Sequence, residues 1–396
     1  MLEGLVCREA GPDDVPDVLT VRNAIFPPLT PEQYLSDPHM TCALAHLHGE
    51  AVGAIPLSLR RFQLAPGVVV DTAFENAVGT REDLRSKGIG SAMIRAAREF
   101  LAGRADELMV YRGGERSVGY RFYLRSGHRD VVYLRQMVLA EPARGEADVC
   151  HGGLEDALAE QPALLRCFAA SYGHCGGFPV RHADYWREAL ASTIYYVVPH
   201  ETHYFAYPAS GAPQAYALAG VPLRPSDTDR AAVLEFASAV GEEGARHVLL
   251  GVADYAAARG LQVCTASCAD HPHRELLRRL GFREEPRWMQ TMVQPLDPTA
   301  LAAKVCRAPE ALRDLRVRYW APFGDGLLFE GARARESVTV EGSDELICRL
   351  LNLRLDVVSA YRHDLLSIIN GSAEVAERLG AAFPYTPWVY HHLDYI

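Results

Sequence analysis

Val78-Gly79-Thr80-Arg81-Glu82-Asp83-Leu84-Arg85-Ser86-Lys87-Gly88-Ile89-Gly90-Ser91 reads as a strand end, a short loop and the first turn of a helix. Upstream, Val68-Val69-Val70 and Phe74 to Val78 are extended in pattern. Downstream, Ile89, Met93, Ile94, Ala97, Phe100 and Leu101 recur at helical spacing. Arg85, Lys87, Gly88 and Gly90 therefore stand where a loop enters a helix. A helix N-terminus carries unpaired N–H groups and the positive end of a dipole, which suits an anion such as phosphate. Gly88 and Gly90 remove side chains, so backbone can approach a pyrophosphate or take a positive φ. Arg85 and Lys87 add charge, and Ser91 adds a hydroxyl donor in the first turn. The spacing is not that of a P-loop, and the first Gly of a Rossmann fingerprint is missing.

The flanks add specificity. The run V-G-T-R-E-D-L-R-S-K-G-I-G resembles the signature V-G/A-V/T-x-P-x-x-R-x-x-G-I/L-G of the GNAT acyltransferase superfamily. Glu82 stands where that family often has Pro, which only stiffens the turn. The resemblance implies that Val78, Gly79 and Thr80 pair through their backbone with the pantetheine arm of acetyl-CoA. It also implies that Arg85, Ser86, Lys87, Gly88, Gly90 and Ser91 hold its phosphates.

Composition narrows the setting. A chain of 396 residues has room for two or three domains. Its 49% apolar and 23% charged content is that of a soluble globular protein. No apolar run is long enough to span a membrane, and Met1-Leu2-Glu3-Gly4 opens no secretory leader. Nine scattered Cys, an odd number, favour reduced thiols over a disulfide framework. A cytoplasmic protein without a membrane partner is expected. The net charge of −10 argues against nucleic acid as a partner.

Taken in order, residues 1–140 read as one α/β unit. Leu5 to Arg8 is a first strand, and Pro12 opens a helix bearing Val15, Val18, Leu19, Val21 and Ile25. Thr41 to His48 and Glu50 to Arg60 form a hairpin about His48-Gly49-Glu50. Val68 to Thr80, the helix after the glycine loop, Leu108 to Tyr111, a short helix Ser117 to Leu124 and Val131 to Leu139 follow. Residues 141–296, opened by a Gly-rich linker, repeat this plan in architecture but not in sequence. Their helices are Pro162 to Tyr172, His182 to Ala191, Ala245 to Arg259 and His273 to Leu280. Their strands are Ser192 to Val198, His203 to Tyr207, Gln214 to Val221 and Leu261 to Ala266. Leu280-Gly281-Phe282-Arg283 is the counterpart of Arg125-Ser126-Gly127-His128. Here the loop is Val240-Gly241-Glu242-Glu243-Gly244, and its two acids suit the helix dipole but repel pyrophosphate, so no CoA is expected there. Residues 297–396 hold short strands at Arg316 to Tyr319, Gly326 to Glu330 and Ser337 to Val340. Helices are expected at Glu345 to Leu351, Asp364 to Ile369 and Ala373 to Leu379. The aromatic, Pro-rich tail from Phe383 to Ile396 is apolar enough to dock.

This layout resembles the enhanced-intracellular-survival (Eis-like) acetyltransferases: two tandem GNAT-like units in mixed α/β sheets, the second degenerate, and a small α+β sterol-carrier-like cap. The resemblance implies an acetyl-CoA-dependent N-acetyltransferase acting by direct attack in a ternary complex. It also implies that the Ile396 carboxylate enters the site of the first unit. The acceptor is expected to be a primary amine on a small molecule or peptide, and homo-oligomers are expected by analogy. The alternative class is a non-catalytic acyl-CoA-binding sensor.

The chemistry needs a group to take the amine proton and a donor for the leaving thiolate. Tyr123, in Tyr123-Leu124-Arg125-Ser126-Gly127-His128, is the candidate acid by similarity to the Y-x-R-F-G-Y of Eis-like proteins, with Tyr120 its rival. Glu75, on the strand before the loop, and the Ile396 carboxylate are the candidate bases. Cys264 and Cys268, Cys150-His151 and His174-Cys175 lack metal-finger spacing, so no metal is expected.

Overall fold

The computed structural model describes residues 2–26, 28–113, 119–142, 145–191, 200–222, 229–322 and 324–394. The chain opens with β1 (Leu5–Glu9), α1 (Val15–Asn23), α2 (Pro31–Leu35), β2 (Met40–Leu47), β3 (Glu50–Ala65), β4 (Val68–Glu75) and β5 (Gly79–Thr80). It continues through α3 (Ile89–Leu101), β6 (Glu107–Gly113), α4 (Tyr120–Arg125) and β7 (Arg129–Leu139). Next come β8 (Cys150–Gly152), α5 (Leu154–Ala159), α6 (Gln161–Tyr172), β9 (Phe178–Pro179), α7 (Tyr185–Ala191), β10 (His200–Tyr207), β11 (Ala215–Pro222) and β12 (Arg230–Ser238). The series α8 (Gly241–Ala257), β13 (Gln262–Cys268), α9 (Arg274–Arg279) and β14 (Arg283–Pro295) repeats the earlier order. The last part is α10 (Pro298–Val305), β15 (Leu315–Ala321), β16 (Gly324–Glu330), β17 (Glu336–Glu341), α11 (Asp344–Leu351), α12 (Val357–Arg362), β18 (Ser367–Ile369) and α13 (Ala373–Ala382).

Two compact units result. Unit 1 gathers residues 1–31, 38–133 and 290–387, and unit 2 gathers 32–37, 134–289 and 388–396. In unit 1, β1, β2, β3 and β4 are antiparallel neighbours, and β6 lies parallel to β4. Helix α3 covers this sheet. Its Ile89, Met93, Ile94, Ala97 and Leu101 form one stripe against Val52, Ile55 and Leu57 of β3. Gly53 permits the close approach, because a Cβ there would lie 2.8 Å from Met93 Cε. The same unit carries a four-stranded sheet in the order β16-β15-β17-β18. Along β15, Leu315, Val317, Tyr319 and Ala321 face inward while Arg316, Arg318 and Trp320 face solvent, the alternation a one-sided sheet demands. Asp297, Ser343 and Asp356 cap α10, α11 and α12 through their side chains.

In unit 2, β10, β11 and β12 are antiparallel, β13 lies parallel to β12, and residues 134–139 of β7 pair with β13. The unit's core joins Leu164, Phe168, Tyr172, Trp186, Tyr216 and Leu234 to Val389 and Leu393 of the tail.

The helix expected over Asp364 to Ile369 is not formed. The helix lies earlier, at α12, where Asp356 offers a cap. The chain leaves it through Asp364 at φ 55, and Ser367, Ile368 and Ile369 alternate exposed, buried, exposed as strand β18. A β-branched pair after a left-handed turn favours extension. The strand expected at Ser192 to Val198, and Ser117 and Val118 of the short helix, lie outside the described residues. Among the described residues no helix is long and apolar enough to cross a membrane.

Candidate active site

The site begins where β4 parts from β6. The two strands are in register for three pairs, Thr72 with Glu107, Ala73 with Leu108 and Phe74 with Met109. Beyond them β6 runs on to Gly113, while the other strand turns back toward β3. The cause is local. The Asn76 amide donates to the carbonyl of Pro56 at 2.9 Å, but Pro56 has no N–H to return. Ala77 then adopts φ 44, and the ladder resumes one residue out of step, with Ala54 opposite Gly79 and Gly53 opposite Thr80. This is a β-bulge, and it separates the backbone of Val78 from β6.

A short 3-10 turn, Glu82–Leu84, buries Leu84 and leads to Ser86 at φ 63 and Gly88 at φ 86. Gly88 is the N-cap of α3, and an added Cβ would meet nothing within 4 Å. Its glycine is therefore required by backbone conformation, not by crowding. Gly90 differs: a Cβ there would lie 2.7 Å from Phe122 Cε2 of α4. Arg85, Ser86, Lys87, Gly88 and Ser91 are exposed. Arg85 is only loosely tied to Glu82, at 3.9 Å, whereas Arg81 is held by Glu50 at 3.0 Å and Asp83 at 2.8 Å.

Tyr123 is buried in a small cluster with Val110 and Met292, against which Val78, Tyr120 and Phe122 pack. It therefore lies beside residues from both sides of the strand opening. The hydroxyl of Tyr120 donates to Asp130 at 2.7 Å, so the rival phenol is engaged by a carboxylate. Glu75, at the end of β4, is fully buried with its Oε1 2.7 Å from His128 Nε2. That approach is close but outside hydrogen-bond geometry, and among the described residues neither carboxylate oxygen nor either imidazole nitrogen has another hydrogen-bond partner. His128 was not singled out in the sequence as a site residue. Its signal was its place in the Tyr123 to His128 run, where the Eis-like pattern has an aromatic. Ile396 lies outside the described residues. Among the described residues no group of three or more His, Cys, Asp and Glu could hold a metal ion.

In unit 2 the corresponding helix, α8, opens with Glu242 and Glu243, and Glu242 is paired with Arg279. Cys264 and Cys268 are buried on β13, the latter donating to the carbonyl of Trp388 at 2.7 Å.

Residues 20–128 match the model of the acetyltransferase (GNAT) family. No curated protein matches the chain. Solved structures similar over almost the whole length include a probable N-acyltransferase from Enterococcus faecalis, with TM-score 0.70, 11% identity and 98% of each chain covered. A GCN5-related N-acetyltransferase from Kribbella flavida has TM-score 0.65 at 16% identity over 99% of each chain. Eis1 from Mycobacterium abscessus has TM-score 0.63 at 12% identity, covering 98% of this chain and 99% of its own. At these identities the likeness is one of fold. The parted strands, the glycine-capped helix and the family match coincide in one segment, and residues 20–128 are a GNAT-family acetyltransferase domain, carried on a chain with an Eis-like fold.

Proposed function

We propose that this domain is an acetyl-CoA-dependent N-acetyltransferase, moving acetyl to a primary amine on a small molecule or peptide by direct attack in a ternary complex. The observation that carries the reading is the bulge that parts β4 from β6 immediately before the α3 N-terminus. Strand backbone that has left its neighbour can pair with an extended amide chain, which Val78, Gly79 and Thr80 would do for pantetheine. The α3 N-terminus, with Gly88, Gly90 and Ser91, suits a pyrophosphate, and Arg85, Ser86 and Lys87 add donors and charge.

The protein's share of the chemistry is modest. A backbone N–H at the opened strand donates to the developing oxyanion. Tyr123 protonates the departing sulfur, since a phenol remains protonated at neutral pH. Glu75 and the Ile396 carboxylate are the candidates to take the amine proton. No Cys stands in a recognisable nucleophile motif, so no acyl-enzyme is invoked. A reducing, cytoplasmic setting is supported by nine cysteines that form no disulfide among the described residues.

The test is thiol release from acetyl-CoA across a panel of amines, wild type beside Arg85→Glu/Lys87→Glu. Both side chains are exposed, so the change spares packing, whereas a side chain at Gly90 would run into Phe122. Amine-dependent release lost in the double variant sustains the reading. Binding of acetyl-CoA without release for any amine would make the domain a sensor, and absence of binding would overturn the site.

A further inference from the structure

Resting on the acetyltransferase reading, we propose that His128 is a positioning residue that fixes Tyr123 and Glu75 together, so that Glu75 and His128 hold the amine proton as one pair.

Three attachments meet at His128. Helix α4 ends in a Schellman motif: Gly127, at φ 98, donates to the Leu124 carbonyl at 3.2 Å, and the His128 amide donates to the Tyr123 carbonyl at 3.0 Å. The imidazole packs edge to face on the Tyr123 ring, 5.2 Å between centroids. Its Nε2 reaches Glu75 Oε1 on β4 at 2.7 Å. The neighbouring charges are engaged elsewhere. Arg129 donates to the carbonyls of Leu124 and His128 and pairs with Asp344, while Asp130 accepts from Tyr120 and Tyr133.

Unit 2 supplies an internal control. Helix α9 closes with the same motif: Gly281 at φ 96 donates to Arg278, and the Phe282 amide donates to the Leu277 carbonyl, both at 3.0 Å. Its parallel pairing also runs for three pairs, the last being Ala232 with Cys264. The register thus aligns Glu75, Tyr123 and His128 with Val233, Leu277 and Phe282, which are buried in one apolar cluster. The framework is satisfied by apolar side chains. In unit 1 it buries a carboxylate and an imidazole with incomplete hydrogen bonding, a cost that packing does not require. Polar groups kept where the fold accepts apolar ones mark a functional site.

In the step, the amine nitrogen bonds to the thioester carbon and the C–S bond breaks. The amine proton passes to the Glu75–His128 pair, and the sulfur takes the Tyr123 phenol proton. The pair then releases its proton and Tyr123 regains one, so that an N–H is exchanged for an S–H overall.

The deciding variant is His128→Phe, the side chain unit 2 uses. It keeps an edge contact with Tyr123 and removes only the partner of Glu75. We expect kcat to fall about 30-fold or more, since acid–base groups commonly contribute that much, while the acetyl-CoA KM changes little. Turnover close to wild type, with no split between kcat and KM, would reduce His128 to packing and overturn the proposal. Because His128→Phe leaves Glu75 buried alone and could unfold, Glu75→Val/His128→Phe is made beside it. The double variant should be folded, inactive and no less heat-stable than wild type. A clear loss of stability would make the pair structural and overturn the proposal by a route independent of activity. A wild type that releases no thiol with any amine would instead sink the acetyltransferase reading, leaving the stability comparison to decide on the pair.

Discussion

Tyr123 and Tyr120 lie one turn apart on α4 and share one small cluster. The Tyr120 phenol donates to Asp130 at 2.7 Å. Tyr123 lies against Val78 and Val110, flanking the opened strands. Tyr123→Phe should lower kcat about 100-fold with acetyl-CoA affinity intact. Tyr120→Phe should leave kcat within a few fold and cost about 1 kcal/mol of stability from the lost hydrogen bond. Steady-state kinetics and denaturant titration of the two variants separate these effects. Glu107 poses a different problem. It is fully buried at the start of β6, accepts from Thr72 at 3.2 Å, and burial pushes its carboxyl up to about 8. Its folded pKa exceeds its unfolded one, so the folded state binds the extra proton between them. Stability from this group is therefore full below the unfolded pKa, near 4.5, and declines as pH rises to about 8. Glu107→Gln should remove that slope and add on the order of 4 kcal/mol at pH 8, with little gain at pH 4.5. Urea unfolding at the two pH values checks the sign.

Among the elements, the glycine-capped turns do most to shape the site. Gly127 has two reasons to be glycine: φ 98, and Gln294 Nε2, into which a Cβ would run. Gln294 also donates to the Ser126 carbonyl at 2.7 Å, closing the α4 C-terminus a second time. Gly127→Ala should therefore cost about 1–2 kcal/mol from the left-handed backbone alone. It should also lower kcat by tilting α4 and displacing Tyr123 and His128, whereas Gly103→Ala, at φ 77 with open space around it, should cost stability but not turnover. Thermal unfolding and kinetics on both variants test this. The elements also show how sequence patterns can mislead. Leu365, Leu366, Ile368 and Ile369 satisfy a helical count as easily as a strand. What decides is the Asp356 cap, which starts the helix early, and the left-handed Asp364, which ends it.

On the scale of the molecule, the tail is an integral part of unit 2. Trp388, Val389, Tyr390 and Leu393 are buried, and Asp394 lies 2.7 Å from Arg181 and accepts from Tyr185 at 2.7 Å. Arg181 also pairs with Glu235 and stacks on Phe168 and Tyr185, 4.3 and 4.1 Å from their centroids. One cation thus serves two buried carboxylates, and burial raises Asp394 to about 6. Arg181→Met would strand both acids and should destabilise by about 3–5 kcal/mol. Asp394→Asn keeps Arg181 balanced by Glu235 and should be mild. Removing only Tyr395 and Ile396 leaves this network whole, so that truncation tests the terminal carboxylate in catalysis; any cut before Asp394 tests unit 2 folding instead. Calorimetry on Arg181→Met and Asp394→Asn distinguishes them.

The sequence by itself determined what depends on neighbours along the chain. The glycine loop feeding α3, the amphipathic stripe of α3, the repeat of one architectural plan and the acids that open α8 all follow from local spacing, and they sufficed for the mixed α/β class and the family resemblance. Tertiary structure decided what depends on register. Glu75 meets His128 because β4 and the α4 cap converge. Gly90 is glycine because Phe122 crosses it, and Tyr120 is held because Asp130 faces it. Such pairings join residues remote in sequence through strand registers and helix packing, and a side chain's partner, unlike its periodicity, is not encoded in the residues beside it.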